Sequence, residues 1–265
     1  MNNVKNKKRV SPVSVLHRIK LIGRSLLFLG ALGLYLYNRI SGNESLFSGI
    51  EYNQYFLLAL WIIFFVEMLF RFIPSRLESP GCQKVFKKRF IPTKVEKTRL
   101  NTWRSTLAVA LAWLALNGAI GALYYTNVID EGILILISLA YSVCDMICIL
   151  FFCPFQTWFM KNRCCVTCRI YNWDFAMMFT PLVFINDIFA RSLLGVSLVL
   201  LLVWELTVRI HPERFAEETN GCLSCANCTE KLCHHKKQLR GFIKKNKDRL
   251  YVKGNELFGN DKKNK

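Results

Sequence analysis

The chain has 265 residues, which is the length of one or two soluble domains, but 52% of them are hydrophobic and the net charge is +18. This apolar content, with a mean hydropathy of +0.24, excludes an ordinary soluble enzyme and indicates a membrane protein. Basic loops beside apolar runs are typical of membrane orientation and of anionic lipid binding. No nucleic-acid-binding module accompanies the charge, so we expect no nucleic-acid partner.

In chain order, residues 1–20 form a basic segment that we place in the cytosol. Ser11 and Pro12 suit the cap and first position of a helix, and Val15, Leu16 and Ile19 share one helical face. This predicts a short surface helix that leads into the first span. That span lacks a small-x-small cleavage site and is followed by further spans, so we expect it to remain as a signal anchor.

Six apolar segments follow one another along the chain. They cover about 21–37, 55–73, 105–125, 133–152, 175–188 and 193–207. The fifth is short and contains Pro181, so it is either a short spanning helix or a re-entrant segment packed within the bundle. We therefore predict an all-α polytopic membrane helix bundle over residues 21–209, with about six membrane segments. The prediction also includes a cytosolic cysteine-rich loop (153–173) and a cytosolic cysteine-rich basic tail (210–265).

The basic residues test this topology. With the N-terminus in the cytosol, the cytosolic pieces hold 34 of the 36 lysines and arginines, and only Arg39 and Arg191 lie on the outer side. Because lysine and arginine concentrate in cytoplasmic loops, both termini are predicted to be cytosolic in a multi-pass protein of the plasma membrane. The basic and apolar pattern of the tail over 236–251 indicates contact with anionic lipids.

The tail carries the stronger of two cysteine clusters. Its members are Cys222, Cys225, Cys228 and Cys233, followed directly by His234 and His235. Two residues between cysteines let successive thiolates turn towards one metal ion or cluster. The first three fit the spacing of bacterial ferredoxins, and the fourth comes one residue late, without the following proline. The C-x2-C pairs and the histidines also suit zinc. In the cytosol, where thiols stay reduced, metal binding is favoured over disulfides.

The loop carries the second cluster. Its candidate ligands are Cys153, Cys164, Cys165 and Cys168. Cys153-Pro154 is a dipeptide typical of iron–sulfur ligands, and Cys153 could complete a cluster led by the tail cysteines. Cys164 and Cys165 are adjacent and rarely both reach one metal. Cys144 and Cys148, four residues apart in the fourth span, are interpreted as small core residues.

A helix that ends in FFCPFQ and is followed by further cysteines resembles the polyferredoxin-type membrane iron–sulfur proteins. The resemblance covers about thirty residues, from Cys148 to Cys168, and implies electron transfer between quinone and soluble carriers. The chain departs from that family in two respects. Cys148 and Cys153 are separated by four residues rather than three, and two regular ferredoxin motifs are absent.

Four acidic residues fall near the cytosolic ends of the spans: Glu67, Asp145, Asp174 and Glu205. An acid at the centre of a span costs about 2.5–3.5 kcal/mol on insertion scales and less near an interface. One interpretation pairs these acids with Arg71, Arg169 or Arg209 at the lipid boundary. The alternative is a polar pocket beneath the cysteines that relays protons or binds a cation, with Asp145 at its centre.

Together these features predict an integral membrane metal-binding protein with two cytosolic cysteine clusters. The first hypothesis is an iron–sulfur protein, with a 4Fe–4S cluster and a redox partner protein, that transfers electrons. The alternative is a zinc-stabilised membrane scaffold without catalytic activity. A transporter is a third hypothesis, but no inverted repeat supports it. The sequence has no phosphate-binding loop, nucleophile elbow or HExxH motif for other enzyme classes.

Overall fold

The computed structural model describes residues 11–41, 54–76, 78–95, 100, 102–162, 164–228 and 230. Within these residues the chain is helical and has no strand, as predicted. The α-helices are α1 (Pro12–Ile40), α2 (Gln54–Phe70), α3 (Pro80–Gln83), α4 (Trp103–Tyr125), α5 (Glu131–Leu150), α6 (Asp174–Phe179) and α7 (Ile188–Ile210). Four of them, α1, α4, α5 and α7, are long and apolar enough to cross a membrane.

Helix α1 is a single rod of 29 residues. The side chain of Ser11 accepts a hydrogen bond from the backbone N–H of Ser14 at 3.1 Å, and Pro12 occupies the first turn. The start of this helix was predicted correctly. The prediction of a separate surface helix before the span is wrong, because no proline or turn interrupts the chain before Ile40. At 1.5 Å per residue the helix is about 43 Å long, which exceeds the ~30 Å apolar thickness of a bilayer.

Helices α5 and α7 begin at aspartate caps, which fix where they start. The side chain of Asp130 accepts from the N–H of Ile133 (2.8 Å) at the start of α5. Asp187 accepts from Phe189 (2.8 Å) and Ala190 (3.0 Å) at the start of α7. The bounds of α4 and α5 lie within two residues of the predicted segments 105–125 and 133–152. Helix α7 begins and ends a few residues outside the predicted 193–207.

The predicted fifth segment is not a long helix. It consists of the six residues of α6 and a 3-10 turn, Thr180–Phe184, that contains Pro181. Proline at this position removes a backbone donor, so the α-helix ends at Phe179. The segment lies in the middle of the bundle: Phe175, Met178 and Phe179 are at most 3% exposed and form the core with residues of α2, α5 and α7.

The bundle has two distinct ends. At the cysteine end, which we define as the end where α2, α5 and α7 finish, Trp173 donates a hydrogen bond to Glu205 of α7 (2.8 Å). At the opposite end, the ring of Phe184 contacts the ring of Tyr125 of α4 at 5.9 Å. The segment 174–184 therefore runs through the core from the cysteine end towards the opposite end.

The long loop after α2 is more buried than predicted. The sequence indicated at most short surface helices here, and α3 is short, but its Gly81, Cys82 and Gln83 are buried. Ser79 caps α3 by accepting from the N–H of Gly81 (3.0 Å), and the helix packs on Tyr171. The loop therefore covers the cysteine end of the bundle as a packed layer.

Candidate functional site

A cavity of about 130 Å³ lies at the cysteine end, between α4, α5 and the segment 174–184. Five cysteines line it: Cys144, Cys148, Cys153, Cys165 and Cys168. Its other walls are mainly apolar or aromatic and include Trp113 of α4, whose ring lies 4.7 Å from that of Tyr141. The sequence placed these cysteines in one region. It did not predict that they would surround a cavity, because packing between distant helices is not visible in the spacing.

Cys148 of α5 and Cys153, which follows that helix, both line the cavity. The backbone N–H of Gln156 donates to the sulfur of Cys153 (3.4 Å), at a π-helical turn, Phe155–Phe159. Cys165 donates to the side-chain oxygen of Gln156 (3.0 Å). Cys148 was interpreted as a core residue, and it is half-buried at the cavity wall. Cys144, also interpreted as core, is exposed.

Two C-x2-C segments fold as tight turns. The N–H of Cys168 donates to the carbonyl of Cys165 (2.9 Å), and the N–H of Cys228 donates to the carbonyl of Cys225 (3.5 Å). Asn220 begins the second region by accepting from the N–H of Cys222 (3.1 Å). Such turns bring two thiols to the same side of the backbone, which is the arrangement that thiolate metal sites use.

The tail turns are docked beside the loop cysteines. Gly221 donates from its N–H to the carbonyl of Ile91 (2.8 Å), and Arg214 donates to the carbonyl of Val85 (2.8 Å). Phe215, which precedes the tail turns, packs in one apolar cluster with Cys165 and Cys168. Burial raises the pKa of Cys164 and of Cys222.

The described residues do not assemble a metal site. In the part of the chain that the structure describes, no three Cys, His, Asp or Glu side chains are arranged to hold a metal ion. Cys233, predicted as the fourth ligand, and the neighbouring His234 and His235 lie outside the described residues. The donor types suit zinc or an iron–sulfur cluster, and the turns supply ligand pairs. A complete four-ligand set is not assembled from the described residues alone.

Two buried cations near the thiols were not predicted to lie beside cysteines. Lys84 is 2% exposed, and its Nζ donates to the carbonyl of Cys168 (3.1 Å). Burial lowers the pKa of Lys84 to about 8, against the opposing effect of thiols that include Cys168 and Cys82. The side chain of Arg71 donates to the sulfur of Cys82 at 2.8 Å. The sequence context of Lys84 gave no signal, because lysine in a basic loop usually faces water, and Arg71 was predicted only as a partner of the acids.

Three of the four predicted acids, Glu67, Asp145 and Asp174, belong to one chain of ion pairs. In order along the described ion pairs its members are Asp145, Arg24, Glu67, Lys20, Glu78, Arg71 and Asp174. The bonds from Arg24 to Glu67 and to Asp145 are both 3.0 Å, and that from Arg71 to Asp174 is 2.7 Å. The pairing of Asp174 with Arg71 agrees with the first interpretation of the acids. Glu67 and Asp145 instead pair with Arg24, which the sequence analysis did not consider.

The two ends of this ion-pair chain face the same cavity. Asp145 and Asp174 both line the cavity that the cysteines surround. Among the described members, the chain contains four carboxylates and three cations. Glu205 belongs to a separate group, because it accepts from Arg169 (2.9 and 2.5 Å) and from Trp173. Of the four predicted acids, the structure therefore brings Asp145 and Asp174 to the cysteines.

Comparison of the chain with protein-family models, with curated proteins and with solved structures finds no match. The functional conclusions below therefore rest on the chemistry of the site.

Proposed function

We propose that this chain is an integral membrane metal-binding protein whose cysteines hold an iron–sulfur centre, of the 4Fe–4S type, for electron transfer to or from a redox partner protein. The observation that carries the proposal is the pair of C-x2-C turns, Cys165–Cys168 and Cys225–Cys228. Cys165 and Cys168 pack in one apolar cluster with Phe215, which precedes the tail turns. Two C-x2-C ligand pairs are the elements from which four-thiolate centres are assembled.

Buried cations near the thiols support the same proposal. A centre with four thiolate ligands carries net negative charge, and burying that charge is costly unless cations lie nearby. Lys84 and Arg71 are 2% and 6% exposed, and both have sulfur atoms among their neighbours. We therefore propose that the four ligands of the centre come from Cys164 or Cys165, Cys168 and the tail cysteines Cys222, Cys225, Cys228 and Cys233. Lys84 and Arg71 offset their charge.

The proposal includes a topology of six membrane segments with both termini in the cytosol of a plasma-membrane protein. It counts α1, α2, the buried segment 174–184, α4, α5 and α7. The concentration of lysine and arginine in loops at the cysteine end supports this orientation. The segment 174–184 is short for a crossing, since eleven helical residues rise about 16 Å. Its backbone is tolerated at membrane depth because the other helices bury it.

A zinc-stabilised scaffold is the second candidate function. The same two C-x2-C turns favour it, because structural zinc sites commonly combine two such pairs, and His234 next to Cys233 offers a further zinc ligand. In that case the cysteine end would dock a partner protein and the metal would only stabilise the loops. The two candidates share their ligands and differ in the metal.

Anaerobic purification of the full chain in detergent separates the candidates. We expect stoichiometric iron and acid-labile sulfide with a visible absorption band that bleaches on reduction. Cys228→Ser should lose the metal, whereas Cys144→Ser, which removes an exposed cysteine of α5 that belongs to neither turn, should keep it. A colourless protein with stoichiometric zinc would replace the electron-transfer proposal by the scaffold. A wild-type protein that binds neither metal would contradict both.

A further inference from the structure

The cavity at the cysteine end is lined by two acids and by no base. Asp145 of α5 and Asp174 of α6 form part of its wall, and no lysine or arginine is among the described residues around it. The buried Lys84 does not line the cavity, because its Nζ donates to the backbone carbonyl of Cys168. A positive charge inside the cavity would therefore have to come from a bound molecule.

Each of these two carboxylates keeps one oxygen without a hydrogen bond. Arg24 donates to Oδ2 of Asp145 at 3.0 Å, and Arg71 donates to Oδ2 of Asp174 at 2.7 Å. Among the described residues, no donor hydrogen-bonds to Oδ1 of either acid. The side chain of Asp174 is only 5% exposed, and buried carboxylate oxygens normally have a donor. A donor bound inside the cavity would satisfy this oxygen, because Asp174 lines the cavity and its arginine does not.

The ion-pair chain that ends at these two acids has an excess of negative charge. Its described members are four carboxylates and three cations, which leaves one carboxylate without a compensating charge. An uncompensated charge in a largely buried network is costly. One monovalent cation bound between Asp145 and Asp174 would neutralise the chain at the place where both of its ends reach the cavity.

The remaining walls favour an organic cation over a metal ion. Trp113, Tyr141 and Phe155 supply aromatic rings, and the ring of Trp113 lies 4.7 Å from that of Tyr141 and 6.1 Å from that of Phe155. Aromatic rings attract ammonium groups and pack against alkyl carbons. No three described Cys, His, Asp or Glu side chains are arranged to hold a metal ion. The cavity volume of about 130 Å³ is close to the ~150 Å³ that accommodates one benzene molecule, so the ligand must be small.

We propose that this cavity binds one small primary ammonium ion that carries a short apolar substituent. The N–H groups of the ion donate to the carboxylates of Asp145 and Asp174, and such charge-assisted hydrogen bonds are stronger than neutral ones. The apolar substituent packs against the rings of Trp113 and Tyr141. The ligand enters at Cys144, which lines the cavity and is exposed on the candidate span α5. The site does not depend on the proposed metal, because none of these residues is a ligand of the proposed centre.

The experiment is equilibrium dialysis of radiolabelled n-butylamine, which is an ammonium ion at pH 7, against the full chain in detergent. We expect one ion to bind per protein, displaced by unlabelled n-butylamine and not by equal concentrations of 1-butanol or butanoate. Asp174→Asn and Asp145→Asn should each weaken binding by about tenfold or more, because each removes a charged hydrogen-bond acceptor. Glu205→Gln makes the same change at an acid of the cysteine end that does not line the cavity, and it should bind like the wild type.

Two further variants leave the ion-pair chain intact. Trp113→Leu removes a ring from the cavity wall and should weaken n-butylamine binding by about threefold or more, with gel filtration checking the fold. Cys228→Ser should lose the proposed metal and still bind n-butylamine, so the failure of one proposal is distinguishable from the failure of the other.

Three results would decide against the ammonium site. A wild-type protein that binds no n-butylamine at pH 7 overturns the proposal outright. Equal displacement by 1-butanol would mean that the cavity selects apolar molecules and not the positive charge. Unchanged binding in both Asp174→Asn and Trp113→Leu would place the bound ion outside this cavity.

Discussion

At the scale of single residues, Arg24 offsets the negative charge of two acids buried in the bundle. It is 4% exposed and donates to Glu67, to Asp145 and to the backbone carbonyl of Ser142, each at 3.0 Å. The face of Phe64 lies 5.8 Å from its guanidinium carbon. The sequence shows Arg24 only as a basic residue near the start of an apolar run, a place where arginine usually extends to the interface. Its role depends on α1 packing along α5.

Replacement of Arg24 by methionine should destabilise the protein strongly. It leaves the buried Asp145 without its cation and Glu67 with Lys20 alone, and breaking a buried ion pair in this way costs on the order of 3–5 kcal/mol. Arg39→Met is the matched control on the same helix, because Arg39 is 70% exposed and its 3.7 Å pair with Asp130 is on the surface. Such surface pairs contribute only about 0–1 kcal/mol. Thermal unfolding in detergent measures both changes.

The carboxylates themselves provide the check on this explanation. If the loss in Arg24→Met comes from uncompensated charge, then adding Glu67→Gln and Asp145→Asn should recover part of the lost stability. A triple variant no more stable than Arg24→Met alone would show that the arginine acts through its packing against Phe64 and not through its charge.

A second residue with a measurable effect is Glu230. It is 1% exposed, and Ser11 donates to its backbone carbonyl at 3.2 Å. Burial raises the pKa of Glu230 to about 7, although Ser79 and Lys84 act in the opposite direction. Because an acid whose pKa is raised binds its proton more tightly in the folded state, its stabilising effect is complete below pH 4.5. That effect is then lost as the pH rises through about 7.

Glu230→Gln should remove this pH dependence. We expect the wild-type midpoint of thermal unfolding to fall between pH 5 and pH 8, corresponding to about 3 kcal/mol at most since one pKa unit is 1.36 kcal/mol. The unfolding midpoint of the variant should change less with pH, and the variant should be more stable than the wild type at pH 8. Glu218→Gln, which changes an exposed glutamate of the same loop, should leave the wild-type profile unchanged. Parallel profiles for wild type and Glu230→Gln would assign the pH dependence to other groups.

At the scale of elements, the sequence predicted best where a helix begins or ends at a strong local signal. Ser11 is a side-chain cap, and α1 starts there as predicted. Asp187 also caps a helix, but the start of α7 at Ile188 lies before the predicted segment 193–207. It predicted poorly where tertiary packing decides, as in the buried α3 and the broken segment 174–184. In a membrane both faces of a span are apolar, so hydrophobic periodicity does not show which face is packed inside. Pairs such as Arg24 with Asp145 were therefore unpredictable.

The contact between Gly121 of α4 and Phe184 is a tertiary feature of this kind. A Cβ atom at Gly121 would lie 2.7 Å from Cε1 of Phe184, so the ring would have to move. Gly121→Ala should therefore destabilise the protein, by about 1–3 kcal/mol for an overpacked core. Gly118→Ala, three residues earlier on the same helix and with nothing within 4 Å of the added carbon, should be neutral or slightly stabilising. Unfolding in detergent compares the two.

A second substitution identifies the cause. Phe184→Leu in the Gly121→Ala background provides space for the added methyl group, so the double variant should lose less than the sum of the two single changes. Strict additivity would mean that Gly121 and Phe184 do not limit each other. In that case the position of the segment 174–184 would not depend on having glycine at position 121.

At the scale of the whole molecule, the distribution of basic residues and the packing of the loops independently group the same regions at the cysteine end. The lysines and arginines concentrate in loops that the structure packs at the cysteine end, including 71–95 and 209–228. The cavity, both ends of the ion-pair chain and the C-x2-C turns lie at that end too. The sequence predicted this grouping from counts of basic residues, without showing which thiols would meet. The grouping of Cys144, Cys148, Cys153, Cys165 and Cys168 around one cavity follows only from the three-dimensional fold.

The proposed orientation predicts which cysteines a membrane-impermeant maleimide can reach in sealed membranes. Glu217 is exposed at the cysteine end and has no proposed ligand role, so Glu217→Cys should react in inside-out vesicles and not in intact cells. Val128 is 66% exposed in the turn between α4 and α5 at the opposite end. Val128→Cys should therefore react in intact cells and not in inside-out vesicles, with mass spectrometry identifying each labelled peptide. Cys144 lies on a candidate span and should react from neither side, because the reagent is excluded from lipid. Labelling of Glu217→Cys and Val128→Cys from the same side would contradict the six-segment topology. It would also remove the charge argument that places both cysteine regions in the cytosol.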